Sequence, residues 1–598
     1  MSRQLNRLLV LAAVFSLQAC ATSPKIDPQI ETRVQHHRST SLSCKITGST
    51  CALPSSLLEK AASRPGHHAR IVENGEQALI LRLHMIRAAH TSIDLQYFIF
   101  SGDTSGRLIM HELLLAANRG VKVRVLFDQL FSIQDIDYLG AMALAHSNLD
   151  IRLYNPTFHK ASTNKTEFVT GVACCFFRFN QRMHNKVFQI DRKLSLLGGR
   201  NIADRYFDMD TSYNFKDRDV LISGPASADV LASFESYWNN QVVKPVYQLH
   251  DINDYLRETQ LLDTQTPLVV PRFQKLLTAA ADGSYINATF TASFKPVREI
   301  KYFWDLPRKE STHRNERTRA TNTIFQHIKQ TETDIFVQSP YMVLSRKLQK
   351  IYKRLKQQNP ELRIRYSSNS LASTDAWTAY ALYHKKKKRY VQKLGIEIHE
   401  LMPFPGDIHE FIPRYDELIM EKANGISSQQ FMSAAETPTE DRAGPRTGLH
   451  SKSIVIDKQL LMIGSHNLDP RSEGYNTENG VFIEDTALAL ELYASMLRDI
   501  SGTNSWVVAA RNDFTPIASD IGGIFEDISS TLPVFDIWPF SYTTAWQLIP
   551  GGSETSPLDP RFYDNYLPVG RFPEVIMTER QILALAVGSL FGFLGPIM

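Results

Sequence analysis

The sequence is poor in cysteine and carries little net charge. It has 5 cysteines in 598 residues and a formal net charge of +4. So few cysteines in a long chain exclude a small domain held together by disulfides, and no spacing of cysteine and histidine matches a zinc site. Because the net charge is small, composition alone neither identifies a nucleic-acid binder nor excludes binding to an anionic surface.

Four of the cysteines follow Cys20, and their positions indicate different states. Cys44 and Cys51 are close enough in sequence to close a small loop in an oxidising compartment. Cys174 and Cys175 are adjacent, and adjacent cysteines seldom bond to each other. We therefore expect this second pair to be buried as small apolar side chains.

The N-terminus has the features of an export signal. The first 20 residues, "MSRQLNRLLVLAAVFSLQAC", begin with arginines and continue with a short apolar run before a small residue, an order typical of a secretory signal. The ending "LQAC" resembles a bacterial lipobox, which implies lipidation at Cys20 and an exported, membrane-anchored protein on the periplasmic side. The alternatives are a plain signal peptide and a short N-terminal anchor, and both also place the body of the protein outside the cytoplasm.

The chain ends in a second apolar run, "ILALAVGSLFGFLGPIM", which covers residues 582–598 without a charge. A membrane-spanning helix needs about 20 apolar residues, so this run is marginal. Two interpretations stay open, a membrane-associated end and a helix packed on the body of the protein.

The most informative pattern is a polar motif that occurs twice. The segments "RMHNKVFQIDRKLSLLGGRN" and "GLHSKSIVIDKQLLMIGSHN" carry the same polar residues at the same spacings. The first copy consists of His184, Lys186, Asp191, Gly198 and Asn201, and the second of His450, Lys452, Asp457, Gly464 and Asn467. Matches at all these positions in two copies far exceed chance in a chain of this length. The sequence therefore predicts a duplicated unit.

Each motif follows the same predicted order of elements. In the first half, "TSIDLQYFIF" reads as a strand, "GRLIMHELLLAANRG" as a helix and "VKVRVLFD" as a strand. In the second half the corresponding segments are "TDIFVQSPYM", "RKLQKIYKRLKQQN" and "LRIRYSSN". A further helix and strand come before each motif, which itself reads as a strand. This order predicts an α/β fold made of two tandem domains with mixed sheets.

These patterns divide the chain into parts. Residues 1–20 form the signal segment, 21–65 a polar linker, 66–270 the first domain, 271–500 the second domain, and 501–598 a C-terminal extension with the apolar end. Polar stretches at residues 159–171 and 424–448 are predicted to be loops that border the site and could set substrate access. The basic run "HKKKKRY" at residues 384–390 is typical of a solvated helix face, with contact to anionic phospholipid as the alternative.

The spacing of the motif has a physical meaning on a strand. Residues two apart face the same side, so the histidine and lysine of each copy project together. The glycines let backbone approach an anion closely, and each asparagine offers a hydrogen-bond donor. Two downstream carboxylates, Asp217 and Glu478, come before another strand. These residue types around a phosphate-sized space suit attack on phosphorus. A lone histidine on a half-buried strand is usually a core residue, but the double pattern disfavours that interpretation.

At these residues the chain resembles the phospholipase D superfamily, whose signature HxKxxxxD followed by GGxN or GSxN occurs here twice. The segments "RMHNK", "GGRNIADRYF" and "NSLASTD" make it most similar to bacterial cardiolipin synthases of the type that lacks N-terminal transmembrane spans. The resemblance covers residues 66–499. It implies that the two halves face each other across a pseudo-twofold axis and share one active site.

The resemblance also implies an activity. The leading hypothesis is a phosphatidyltransferase that forms cardiolipin through a phosphohistidine intermediate, with no cofactor. The alternative is a hydrolytic or head-group-exchanging phospholipase D that releases phosphatidic acid. Export argues against a nuclease, and the intact motifs argue against an inactive lipid-binding scaffold. The expected partners are phospholipid substrates and a membrane surface, with no nucleic acid.

Each motif residue receives a role from the resemblance. His184 is expected to be the nucleophile and His450 the general acid and base. The phosphoryl oxygens are expected to be held, in place of a metal ion, by Lys186, Lys452, Asn201 and Asn467. Asp217 and Glu478 are expected to orient the imidazoles, whereas Asp191 and Asp457 are expected to brace the fold. Ser465 could contact phosphate, but its counterpart is a glycine, which predicts a minor role.

Overall fold

The structure is a computed structural model that describes residues 52–63, 65–130, 132–258, 273–307, 318–426, 442–511 and 542–576. The signal segment with the predicted lipidation site Cys20, the pair Cys44 and Cys51, and the apolar run at residues 582–598 all lie outside these ranges. Inside them, no helix combines the length and the apolar character that crossing a membrane requires.

The strands alternate with helices along most of the described chain. The strands are β1 (His67–Val72), β2 (Ser92–Tyr97), β3 (Lys122–Asp128), β4 (Leu149–Tyr154), β5 (Val187–Ile190), β6 (Leu194–Gly198), β7 (Tyr213–Lys216), β8 (Asp219–Ser223), β9 (Val243–Pro245), β10 (Lys295–Val297), β11 (Glu299–Trp304), β12 (Asp334–Gln338), β13 (Arg363–Asn369), β14 (Ile396–Leu401), β15 (Arg446–Leu449), β16 (Ser453–Ile456), β17 (Leu460–Gly464), β18 (Asn479–Glu484), β19 (Ser505–Ala510), β20 (Thr543–Leu548) and β21 (Tyr566–Gly570).

The helices lie between these strands, except the first, which precedes β1. They are α1 (Ser56–Ser63), α2 (Gly75–Ala88), α3 (Thr104–Asn118), α4 (Ile136–Ala145), α5 (Lys165–Asn180), α6 (Ala226–Trp238), α7 (His250–Glu258), α8 (Gln274–Ala281), α9 (Gly283–Ile286), α10 (Arg319–Ile328), α11 (Arg346–Gln358), α12 (Trp377–His384), α13 (Ile408–Phe411), α14 (Tyr415–Ala423), α15 (Pro470–Gly474), α16 (Thr486–Asp499) and α17 (Phe562–Asn565).

The two large sheets share one internal strand order. The first runs β10-β1-β8-β6-β5-β2-β3-β4-β9 and the second β11-β18-β17-β16-β12-β13-β14-β19-β20-β21. In each sheet three parallel strands, β2-β3-β4 or β12-β13-β14, are flanked by antiparallel partners on both sides. The prediction of an α/β fold with two tandem domains and mixed sheets is confirmed.

The predicted strand–helix–strand units form for identifiable local reasons. All but the first residue of β3 and of β13 are buried, as expected for parallel strands covered by helices on both faces. Helix α11 begins where Ser345 accepts a hydrogen bond from the Leu348 amide at 3.1 Å. Its buried side chains recur at helical spacing, at Leu348, Ile351, Tyr352 and Leu355.

The two halves pack against each other through a shared apolar layer. Each half has its own core beneath its helices. A third buried cluster takes residues from both sheets, including Val187 and Leu197 from the first and Val455 and Ile463 from the second. These residues belong to β5, β6, β16 and β17, the strands of the two motifs. The strands that carry the motifs therefore meet at the contact between the halves.

Polar contacts also cross this interface. The Arg218 guanidinium of the first half donates to Gln338 Oε1 at 2.7 Å and to Ser453 Oγ at 3.0 Å in the second half. Strands β7 and β15 pair in parallel to form a two-stranded sheet with one strand from each half. The halves are thus joined by backbone hydrogen bonds as well as by side chains.

The chain passes from the first sheet to the second at a different residue from the predicted domain boundary. Residues between Phe273 and Phe294 contribute to the core of the first half, and β10 is an edge strand of the first sheet. The second sheet begins with β11, so the boundary between the two sheets lies at Arg298 rather than after residue 270. Strands β19 to β21 extend the second sheet beyond residue 500. The spacing of apolar residues in α8 predicts that one face is buried, but it does not indicate whether that face packs against the core of the first half or of the second.

The prediction that Cys174 and Cys175 are buried, unbonded side chains is wrong. Their sulfur atoms lie at bonding distance as a vicinal disulfide, and neither residue is buried. Both belong to α5, whose backbone leaves helical geometry at Cys175, with φ −138° and ψ 35°.

The stretch predicted to be a loop at residues 159–171 also contains the start of α5. The Asn164 side chain accepts a hydrogen bond from the Glu167 amide, and the Glu167 side chain accepts one from the Asn164 amide. This spacing is a signal for the start of a helix, and the prediction of a loop from polar composition overlooked it.

Candidate active site

The two motif histidines lie just outside strands rather than within them. His184 and Lys186 belong to the segment that leads into β5, and His450 and Lys452 lie between β15 and β16. The following segments form the hairpins β5-β6 and β16-β17, as the sequence predicted. Because each hairpin lies at the interface between the halves, the two histidines are carried to the same region of the molecule.

Backbone hydrogen bonds from the opposite half fix each histidine. The His184 amide donates to the carbonyl of Thr477 at 3.0 Å, and Met183 forms an isolated parallel bridge with the same threonine. The His450 amide donates to the carbonyl of Lys216 at 2.8 Å. The position of each imidazole therefore depends on the docking of the two halves.

Each imidazole also contacts a carboxylate of the opposite half. His184 Nδ1 lies 2.8 Å from Glu478 Oε2, and His450 Nδ1 lies 2.6 Å from Asp217 Oδ2. All these side chains are buried. The sequence predicted that Asp217 and Glu478 orient the imidazoles but did not indicate that the pairs cross between the halves.

This arrangement sets the tautomer of both rings. A carboxylate only accepts hydrogen bonds, so each Nδ1 carries the proton and each Nε2 offers a lone pair. Burial and the charges of Lys186 and Lys452 lower the pKa of His184 well below its usual value. Burial and Lys452 lower the pKa of His450 to about 4, against the opposing effect of Asp217. Both imidazoles are therefore neutral at neutral pH in the free protein.

The motif lysines lie beside the histidines as buried cations. Lys186 Nζ donates to the His184 carbonyl at 2.7 Å and lies 5.3 Å from the centre of the Phe98 ring. Lys452 Nζ lies 2.9 and 3.0 Å from the two ring nitrogens of His450. Burial lowers the pKa of Lys452 to about 8, and burial with the charge of Lys452 lowers the pKa of Lys186 well below its usual value. An anion bound between them would relieve this repulsion.

The two motif asparagines differ in their contacts. Asn201 Oδ1 accepts from the Ile99 amide at 3.1 Å, and its Nδ2 donates to Tyr206 Oη at 2.9 Å. Tyr206 Oη in turn lies 3.5 Å from His450 Nε2. Asn467 Oδ1 is buried and has no hydrogen-bond partner among the described residues. It stays a prediction that both side-chain amides hold phosphoryl oxygens. Because its Oδ1 has no partner among the described residues, the Asn467 side chain is held by fewer contacts than that of Asn201.

The residues after the motif glycines contact the carboxylates. Ser465 Oγ donates to Glu478 Oε2 at 2.5 Å, the same oxygen that faces His184. At the matching position in the first half, a side chain on Gly199 would collide with the Asp217 carboxylate. The hydroxyl of Ser465 is therefore committed to a carboxylate rather than offered to phosphate. Glycine is needed in one copy, and serine makes a specific contact in the other.

The motif aspartates lie at the far ends of β5 and β16 from the histidines. Asp191 accepts hydrogen bonds from the amides of His90, Thr91 and Ser92, at 3.0, 2.7 and 3.0 Å. Asp457 accepts equivalent bonds from Glu332, Thr333 and Asp334. Although burial opposes it, these amides lower the pKa of both carboxyl groups. Each aspartate thus fixes the start of the neighbouring parallel strand, which agrees with a bracing role.

Several residues near the histidines were not identified from the sequence. Asp128, at the end of β3, accepts from the Met183 amide at 3.0 Å, and Asn369, at the end of β13, accepts from the Leu449 amide at 2.7 Å. Each therefore fixes the residue immediately before a motif histidine. A polar residue at the same end of two corresponding strands was the available signal. Asp305 holds Glu478 in place by accepting from its amide at 3.1 Å.

Aromatic rings pack against both imidazoles. The Phe98 ring lies 4.9 Å from the His184 ring, edge to face. The rings of Tyr206 and Phe215 lie 5.0 and 4.9 Å from the His450 ring. These rings exclude water from the imidazoles and limit their rotation.

The basic run at residues 384–390 is not a uniformly solvated face. Lys387 is buried and lies 2.7 Å from a carboxylate oxygen of buried Glu400. Tyr390 is also buried, and its hydroxyl accepts from the Leu344 amide at 3.0 Å. Lys385 and Arg389 are exposed. Only part of the run therefore faces solvent, because helix α12 and the turn after it bury the rest.

Within the described residues, no group of three histidine, cysteine, aspartate or glutamate side chains is arranged to hold a metal ion. The expectation that no cofactor is required stays a prediction.

Comparison with known proteins gives consistent matches. A protein-family model described as "Cardiolipin synthase, PLD-like domain" matches residues 83–238 and 324–500, together more than half of the chain. An uncharacterized protein of Helicobacter pylori is 30% identical over 75% of this chain and 82% of its own length. Cardiolipin synthase C of Escherichia coli is 28% identical over 73% of this chain and 86% of its own length. A crystal structure of phosphatidylserine synthase from Haemophilus influenzae, 14% identical, covers 83% of this chain and 98% of that one with a TM-score of 0.47.

Proposed function

The chain belongs to the cardiolipin synthase family of the phospholipase D superfamily, and from this premise we propose that it is a phosphatidyltransferase that forms cardiolipin. The observation that carries the proposal is the pair of buried imidazoles, each held through Nδ1 by a carboxylate of the opposite half. Two histidines prepared in this way supply one nucleophile and one proton carrier, the minimum set for a two-step transfer at phosphorus.

In the first step, His184 attacks the phosphodiester of a donor phospholipid. The Nε2 lone pair forms a bond to phosphorus, and the bond from phosphorus to the head-group oxygen breaks. His450 donates a proton to that oxygen, so the head group leaves as a neutral alcohol. Glu478 stabilises the positive charge that develops on the His184 ring.

The second step reverses these roles. The hydroxyl of an acceptor lipid gives its proton to His450, and its oxygen attacks phosphorus. The bond between phosphorus and His184 Nε2 breaks, which returns the free enzyme. When the acceptor is phosphatidylglycerol, the product is cardiolipin. When water takes its place, the product is phosphatidic acid.

Substrate binding supplies the protonation state that the first step needs. Burial holds the pKa of His450 to about 4 in the free protein, with Lys452 as a further cause. A bound phosphodiester brings a negative charge between the two lysines, which raises the pKa of the imidazole. His450 therefore takes up its proton when the substrate binds. The lysines then stabilise the charge that develops on the phosphoryl oxygens.

Product analysis tests the proposal. Purified enzyme in vesicles that contain phosphatidylglycerol, with or without phosphatidylethanolamine, is expected to form more cardiolipin than phosphatidic acid. The reason is that a transferase excludes water while the intermediate lives, and both histidines are buried. Mass spectrometry of the products gives the ratio. Mainly phosphatidic acid, with every donor and abundant phosphatidylglycerol, would move the assignment to a hydrolytic phospholipase D and leave the histidine chemistry intact.

The proposal includes export and anchoring through Cys20, since a membrane-lipid enzyme gains from attachment to its substrate surface. Cys20→Ser is expected to abolish incorporation of labelled palmitate in cells, because the lipobox cysteine carries the acyl chains. Cys51→Ser, which removes another N-terminal cysteine, is the matched control and should keep the label. Continued labelling of Cys20→Ser would contradict the lipobox interpretation. Membrane association without label would point to the C-terminal apolar run.

A further inference from the structure

A carboxylate and a phenol form a pair on the His450 side of the site. Tyr341 Oη donates to the two carboxylate oxygens of Asp375 at 3.1 and 3.2 Å. Both residues are half-buried. Asp375 belongs to the segment between β13 and α12, which none of the motif residues occupies.

That segment is anchored next to His450. Asn369, at its start, bonds both the amide and the carbonyl of Leu449, at 2.7 and 2.8 Å. The Ser373 carbonyl accepts from Tyr213 Oη at 2.7 Å. The Tyr213 ring packs 5.0 Å from the ring of Phe215, which packs against the His450 imidazole. The placement of Asp375 relative to the imidazole is therefore fixed by backbone and ring contacts.

Among the described residues, Asp375 has no cationic partner and caps no helix. The residue comes directly before Ala376, the N-cap of α12, and this helix has no side-chain cap. Asp375 forms no ion pair with any residue in the described ranges. In the first half, the N-cap position of α4, which corresponds to Ala376, is occupied by Asp135. It caps that helix through the Tyr138 amide at 3.0 Å and pairs with Arg107 at 2.8 Å.

The charge of Asp375 acts instead on the groups of the site. Burial is the main cause that lowers the pKa values of His450 and Lys452, and Asp375 opposes the lowering of both. On the other side of the site, burial and the charges of Lys186, Lys452 and Arg471 lower the pKa of His184. Beyond the lysine and the carboxylate that each histidine contacts, Asp375 thus adds an acidic group on the His450 side and Arg471 adds a basic group on the His184 side.

The chemistry of the proton transfer places the head group on the acidic side. His450 exchanges a proton with the alcohol oxygen, so that alcohol lies beside His450 both when it leaves and when it arrives. In glycerol and ethanolamine alike, a second polar group, a hydroxyl or an ammonium, stands two carbon atoms from the ester oxygen. Either group donates hydrogen bonds, and a carboxylate is an acceptor for both.

We propose that Asp375, oriented by Tyr341, is the head-group subsite of the enzyme and binds the second polar group of the leaving or arriving alcohol. The inference rests on the proposed function, since it takes His450 as the proton carrier. The hydroxyl of glycerol and the ammonium of ethanolamine share the required chemistry. The carboxylate charge favours the ammonium more strongly than the hydroxyl.

The test compares donors that carry a hydroxyl, an ammonium or no polar group at this position. Phosphatidylglycerol, phosphatidylethanolamine and phosphatidylpropanol, at limiting mole fraction in non-ionic micelles, are given to the parent enzyme, Asp375→Asn and Tyr341→Phe. Release of glycerol, ethanolamine or propanol reports the first step, whichever acceptor follows. Asp375→Asn is expected to slow ethanolamine release by about tenfold or more, glycerol release by less, and propanol release by less than about twofold. Tyr341→Phe should follow the same order with smaller losses.

Controls separate the possible failures. Asp135→Asn, which alters an aspartate at the start of the corresponding helix of the first half, should leave the order of donors unchanged, and thermal unfolding shows whether each variant is folded. Equal losses for all donors, or no loss for any, in an active parent would overturn the subsite alone. A parent enzyme that releases none of the three alcohols would overturn the proposed function and the subsite together.

Discussion

Alanine in place of either His184 or His450 is expected to lower turnover by at least about 10²- to 10⁴-fold, because each supplies a step that the other does not. The two variants should also differ from each other. A phosphatidyl ester of p-nitrophenol needs no protonation of its leaving group. His450→Ala is therefore expected to release p-nitrophenol and accumulate the phosphohistidine, whereas His184→Ala releases none. Stopped-flow absorbance and mass spectrometry of the intact protein measure the two results.

An exposed histidine offers a matched control for this experiment. His409 lies 3.2 Å from the carboxylate of Asp416 and is 59% exposed, so it has a carboxylate partner outside the site. His409→Ala should keep the parent turnover. Folded His184→Ala or His450→Ala protein with near-normal turnover would contradict the assignment of the site. Release of p-nitrophenol by His184→Ala but not by His450→Ala would exchange their roles.

Removing the carboxylate that contacts a histidine should have the same kind of effect as removing that histidine, although the two residues lie in opposite halves. Asp217→Asn and Glu478→Gln are each expected to lower turnover by about 10²-fold or more, since a histidine that loses its carboxylate partner loses its tautomer and its charge stabilisation. Asp217 lies in the first half but serves His450, so Asp217→Asn should recover with the p-nitrophenol ester. Glu478→Gln, which affects the nucleophile His184, should not recover. Steady-state rates with natural and activated donors distinguish the two.

The pH dependence of the same variants follows from the direction of the pKa shifts. Burial lowers the pKa of His450 to about 4, and Asp217 opposes this lowering. Asparagine at this position lowers the pKa further, so less of the protonated imidazole forms at neutral pH. The deficit of Asp217→Asn is therefore expected to shrink as the pH falls, while the deficit of Glu478→Gln stays constant. Asp191→Asn, which alters a bracing aspartate away from the histidines, should keep the parent profile. A constant deficit for Asp217→Asn would contradict the crossed assignment.

The repeated motif was sufficient to predict the duplicated fold and to select the candidate site residues. The spacing in each copy reports contacts within one half, such as the hairpins β5-β6 and β16-β17. It does not report contacts between halves, which depend on how the sheets dock. The pairing of His184 with Glu478 therefore could not be read from the sequence, although both residues were identified. The segment "NSLASTD", which ends at Asp375, was noted for its resemblance, but no role was assigned to Asp375, because its position beside His450 depends on contacts between distant segments of the chain.

The remaining differences arise where local composition is a poor guide to burial. A polar stretch suggested a loop before the first motif, whereas Asn164 and Glu167 cap a helix there. The lysine-rich run suggested a solvated face, whereas Lys387 is buried against Glu400. In both places a tertiary or reciprocal contact satisfies polar groups that an isolated segment would leave in water. Such contacts involve partners that a sequence window does not contain.

The contacts that hold His184 from the second half have a consequence for how the protein is made. The first half emerges from the ribosome carrying His184 but without Glu478 or the carbonyl of Thr477 that hold it. A chain cut short by interrupted translation or by proteolysis between the halves therefore lacks an oriented nucleophile and a proton carrier. With the proposed mechanism, we therefore expect an unfinished chain to be inactive toward the membrane lipids around it.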